Sequence, residues 1–98
     1  MSKSEVVRQV YADNIMAVVP GISTEVASQL ATVAQDALER YPYSLPQAVQ
    51  WAVDNNSLSW ATGRERVRLI AQWTVVVYAA LYRVDPLHDK GGLFASTA

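Results

Sequence analysis

The sequence predicts an all-α domain, a small four-helix bundle with a long central C-terminal helix. Apolar residues recur at three- and four-residue spacing through four segments. Proline and asparagine breaks separate those segments, and the one β-branched run has no second run to pair with. The chain of 98 residues is 51% hydrophobic and 17% charged, a composition suited to one packed core and unlike that of disordered chains. It reads as one helical domain over 1–86 followed by a flexible C-terminal tail over 87–98.

The first helix is expected from about Ser4 to Val19. Val7, Val10, Tyr11, Ala17 and Val18 share a face, and Asn14 interrupts it as a polar group that needs a partner. Pro20-Gly21 ends the segment, because proline disfavours the helical conformation in the residue before it. The second helix opens at Ser23 or Thr24, either of which can cap it, with Glu25 suited to the positive end of the dipole. Val26, Leu30, Val33, Ala37, Leu38 and Tyr41 form its stripe, while Ala27, Ala31 and Ala34 leave a flank that another helix can approach closely. Pro42 stops it.

The third helix is short, about Leu45 to Asn55. Ser44 and Gln47 make a capping box, Pro46 sits in the tolerated first turn, and Leu45, Val49, Ala52 and Val53 form the stripe. Trp51 lies about 160° from Val49 at helical geometry, so it is expected at least partly exposed. The fourth and longest helix is expected from Gly63 to Val84, capped by Thr62 and Glu65 and stopped by Asp85-Pro86. Thr74 to Tyr78 is rich in β-branched residues, yet the flanks are helix formers with no turn between them, so the segment reads as helix. Val67, Ile70, Ala71, Thr74, Val77, Tyr78 and Leu81 share one face, which Leu69, Trp73, Val76 and Ala80 widen. Only a strip holding Arg64, Arg68, Gln72, Val75, Ala79 and Tyr82 is left for solvent.

Most chemistry lacks its residues. With no cysteine, disulfides and thiolate metal sites are excluded. His88, the only histidine, falls in the tail without a preorganised partner, and Asp36 and Glu39 stand on the polar side of the second helix. Gly91-Gly92 opens no helix and so makes no phosphate loop. No catalytic role, metal or cofactor is therefore assigned. The Leu69–Leu81 stretch is too short and too interrupted to span a membrane, and no signal-peptide core follows Lys3, so a cytoplasmic location without a membrane partner is the expectation.

Two surfaces remain as candidates. Arg64, Arg66 and Arg68 crowd the first turns of the fourth helix against its dipole, which implies either contact with an anion or an acidic partner, or internal pairing with Glu65, Asp54 or acids of the second helix. Trp51 and Trp60 bracket the loop between the third and fourth helices and Tyr41 and Tyr43 bracket Pro42, so these rings either form an interface or fold inward to plug the ends of the bundle; Val75, Ala79 and Tyr82 lie on the solvent strip. The expected function is that of a protein–protein interaction module of accessory, inhibitor or adaptor type, homodimeric through its fourth helix, with Trp51, Trp60, Val75, Ala79 and Tyr82 as contacts. Nucleic-acid binding through the three arginines ranks second, because a net charge of −1 gives no broad basic surface.

Overall fold

Serine side chains begin three of the helices in the computed structural model, which describes residues 2–56 and 63–86. Ser2 Oγ accepts from the Glu5 N–H at 3.2 Å and starts α1, Lys3–Val18, a residue earlier than the periodicity implied. Ser23 Oγ accepts from the Val26 N–H at 3.2 Å and starts α2, Thr24–Arg40. Ser44 Oγ accepts from the Gln47 N–H at 3.3 Å and starts α3, Leu45–Asn56. Each cap satisfies a donor that the helix itself leaves orphaned. The fourth helix, α4, spans Gly63–Tyr82 and includes the β-branched run. Its expected cap, Thr62, lies outside the described residues, as do Trp60, His88 and the whole 87–98 tail.

The domain is an all-α bundle in which α2 and α4 each pack on all three other helices, while α1 and α3 flank them without meeting. The α1–α2 pairing is the most extensive, and α2 and α4 meet more sparsely than any other packed pair. The long C-terminal helix is thus central, as expected, and both of its sides have helical neighbours.

The interior is built from small residues. Among the described residues half of the buried apolar side chains are alanine, with Ile15, Val53, Val75 and Val77 the largest that are fully enclosed. On α2 the inward face is Ala27, Ala31, Ala34, Ala37 and Leu38, so the flank expected to admit a close neighbour is the core face itself. Of the stripe expected to be core, Ala37 and Leu38 are buried, Leu30, Val33 and Tyr41 are half-covered, and Val26 is 44% exposed.

α1 differs in the same sense. It buries Ala12 and Ile15 and leaves Val10 and Ala17 exposed, a rotation of about 100° from the valine face, because alanine and one branched residue fit closely where valines would hold the helices apart.

α4 corrects the expected solvent strip. Val75 and Ala79 are both 0% exposed and belong to the core, whereas Val67, expected inside, is 67% exposed. From Trp73 to Ala80 the helix is enclosed almost all round, and its first turns, Arg64 to Arg68, stand at the surface. The expected solvent strip is exposed at its two ends, Arg64 with Arg68 and Tyr82, and buried between them at Val75 and Ala79.

Two side-chain amides tie the elements together. Gln35, itself buried, donates to the Ser4 carbonyl and hydroxyl oxygens at 3.0 and 3.2 Å, fastening the start of α1 to α2. Asn14 finds the partner it needs: its Nδ2 donates to the Ala80 carbonyl at 2.7 Å. That oxygen belongs to the last turn of α4, where carbonyls have no donor within the helix. Arg83 then turns the chain at φ 56°, a left-handed conformation that usually falls to glycine, and its N–H closes on the Ala79 carbonyl at 2.8 Å. This turn ends α4 at Tyr82 instead of at Val84.

Denaturant unfolding checks this terminus. Asn14→Ala should cost about 1–2 kcal/mol, since it strands a part-buried carbonyl. Arg83→Gly should add up to about 1 kcal/mol by removing the left-handed penalty. A destabilising Arg83→Gly would contradict the described turn.

Candidate functional site

The arginine cluster separates on folding. Arg64 and Arg68 are four residues apart and share one exposed row of α4, whereas Arg66 points elsewhere by helical geometry. Arg66 Nη1 meets Asp54 Oδ1 of α3 at 2.7 Å, a half-exposed ion pair that ties α4 to the end of α3. Among the described residues Arg64 and Arg68 have no carboxylate within ion-pair distance. The structure thus brings two of the three predicted cations together and commits the third internally.

The aromatic candidates also divide. Trp51 is half-buried against the core, and the Arg40 guanidinium lies over its ring, 4.8 Å from the centroid. Tyr41 is half-buried beside it and Tyr43 is exposed. Tyr82 is 59% exposed and makes a tilted contact with the Tyr78 ring at 5.9 Å. With Val75 and Ala79 enclosed and Trp60 outside the described residues, the predicted contacts do not form one surface.

A different surface is built where α2 and α4 separate. An open groove of about 410 Å³ lies between Val26 and Leu30 of α2 and Leu69, Gln72, Trp73 and Val76 of α4. The α1–α2 turn closes one end with Val19, Pro20, Gly21 and Ile22. Gly21 takes φ 79°, which lets the chain reverse tightly there. Gln72 is the only side chain among these lining residues with a polar group besides the Trp73 indole. The walls are helical residues, from the first turns of α2 and the middle of α4.

The other clefts are smaller or have charged side chains in their lining. Leu45, Val49, Ile70 and Tyr78 line one of about 170 Å³ between α3 and α4. Glu5, Arg8, Gln9, Ser28 and Thr32 line a polar one between α1 and α2. A third holds Tyr11 with Gln35 and Glu39; burial, and then the Glu39 carboxylate, raises its phenol above the ordinary 10.0. A phenol shifted that way stays protonated at neutral pH and can serve as a hydrogen-bond donor, not as a base. Among the described residues no group of three or more acidic or histidine side chains could hold a metal ion.

No family model, curated protein or solved structure matches this chain. The groove therefore stands on its own geometry. Sequence reasoning missed it because Val26, Leu30, Leu69, Trp73 and Val76 all read as core. One signal was available: α2 carries two apolar faces, an alanine face and a valine–leucine face, and a four-helix domain has interior for one.

Trp51 and Trp73 should separate in unfolding measurements. Trp73→Ala, at a buried site, should lose about 3–5 kcal/mol, and Trp51→Ala about 2 kcal/mol, since its ring is half-covered. Equal losses at the two positions would contradict the burial described here.

Proposed function

We propose that this chain is a protein–protein interaction module that binds a partner through the groove between α2 and α4, taking an amphipathic helix of that partner. The observation that carries the proposal is the exposed Val26 and half-covered Leu30 facing Leu69 and Val76 across an open groove. A groove walled by two helices and lined by aliphatic residues suits a helix whose anchors fall at i, i+3, i+4 and i+7. Rigid walls lower the ordering cost of association. An accessory, inhibitor or adaptor role fits such a module, since each acts by occupying a surface of another protein.

The homodimer expected through α4 loses its motive. Between Trp73 and Ala80 the apolar girdle is covered by the chain's own helices, so the proposal moves from a second copy to a different protein. Nucleic acid remains the second reading because Arg64 and Arg68 are exposed and unpaired among the described residues. Two such cations give a small electrostatic term beside the six to ten phosphate contacts of strong binders. No helix among the described residues is long and apolar enough to cross a membrane.

Val26→Asp tests the proposal cleanly. Val26 is 44% exposed and lies in the first turn of α2, where an acid suits the dipole, so the melting temperature should stay within a few degrees. Wild-type protein purified from its host should retain a stoichiometric protein partner, and Val26→Asp should weaken that complex about thirtyfold, the loss of one interface anchor. Undiminished retention by the variant would overturn the groove. Retention of nucleic acid that is lost with Arg64→Ala and Arg68→Ala would promote the second reading.

A further inference from the structure

We infer that this chain pairs with a second copy of itself through the outer face of α1, the two helices running antiparallel. Lys3, Val6, Val10, Asp13 and Ala17 follow one another at alternating three- and four-residue spacing and form one row. All five are exposed, with Val6 at 47% and Val10 at 48%, while Ala12 and Ile15 bury the inward face of the helix. Alternating three and four is the spacing by which one helix lays a seam along another. None of the five lines the groove between α2 and α4, so this face is separate from that binding surface.

Charge decides what the seam fits. The midpoint of Val6 and Val10 is also the midpoint of Lys3 and Asp13, at the level of Arg8. A second α1 laid antiparallel about that level sets Val6 against the partner's Val10 and Lys3 against the partner's Asp13, and the twofold repeats both contacts. A parallel pairing would oppose lysine to lysine and aspartate to aspartate, so charge selects the antiparallel one. Neither Lys3 nor Asp13 has an opposite charge within ion-pair distance among the described residues; the Gln9 amide donates to Asp13 Oδ1 at 3.0 Å. Lys3 stands at the positive end of the α1 dipole, an unfavourable place that a carboxylate from the second copy offsets. The positions flanking the seam, Val7 and Asn14 on one side and Gln9 and Met16 on the other, are uncharged, so no like charge opposes the approach. A contact along one helix of 16 residues, about 24 Å, buries far less than the roughly 1,200 Å² of stable complexes. The dimer is accordingly weak, forming at about 0.1–1 mM and dissociating on dilution.

Sedimentation equilibrium over that concentration range tests this, and the mass should rise toward that of two chains. Val10→Asp should keep the protein monomeric throughout, with its melting temperature unchanged because the position is exposed. Lys3→Glu or Asp13→Lys alone should weaken pairing about tenfold, since each brings like charges together twice in the dimer; the double variant should restore it. The chain has no cysteine, so an equimolar mixture of Val6→Cys and Val10→Cys reports the orientation. Mixed disulfides should form in it faster than either self-disulfide, because only the mixed pair stands face to face. A monomer at the top of the range, a dimer indifferent to Val10→Asp, or a charge-swapped double variant that stays weak would overturn the inference. Faster self-disulfides would contradict the antiparallel register and overturn it equally.

Discussion

Close approach of alanine-faced helices is the constraint on which the rest of this structure depends. Ala27, Ala31 and Ala34 put the backbone of α2 near its neighbours, and Ala48, Ala52, Ala79 and Ala80 continue the small-residue interior through α3 and α4. Helices separate by roughly 8–10 Å according to the side chains between them, so an alanine seam lies at the short end of that range. A seam that narrow has no room for the bulkier side chains on adjacent faces. Val26 and Leu30 on α2 and Leu69 on α4 are therefore left outside the tightest packing, and the sparse α2–α4 meeting becomes a groove. The candidate site follows from how the core is filled.

Small side chains also bury little apolar area each, so polar fastenings carry more weight than they would in a leucine-rich bundle. Asn14 on the last-turn carbonyl of α4 and Gln35 on Ser4 are both side-chain amides reaching backbone oxygens across helices. No buried side-chain nitrogen or oxygen among the described residues is left without a partner. The first ties α1 to the last turn of α4, and the second ties the start of α1 to α2.

Much of this was legible in the sequence. Helix number, order and breaks followed from periodicity with Pro20-Gly21 and Pro42, and Ser23 and Ser44 identified two caps by residue type alone. Asn14 announced itself as a polar group on an apolar helix. What failed was the choice of face. Hydrophobicity ranks Val10 and Val26 above Ala12 and Ala27, yet packing prefers the residue that lets backbones approach, and no periodicity distinguishes two apolar faces on one helix. The same ambiguity sent Val75 and Ala79 to the surface and Val67 to the interior, because α4 is enclosed in its second half and exposed in its first. The arginines could be recognised as unusual, but the partition between Arg66 and the Arg64–Arg68 pair needed the position of Asp54.

The most direct measurement compares unfolding free energies of Ala31→Leu and Val26→Ala on α2. If the alanine face is the core, Ala31→Leu overfills it and loses about 1–3 kcal/mol. Val26→Ala, which shortens a side chain already 44% exposed at the rim of the groove, should change stability by no more than about 0.5 kcal/mol. The opposite result, a tolerated Ala31→Leu with a severe loss at Val26→Ala, would place the valine–leucine stripe in the interior and remove the groove.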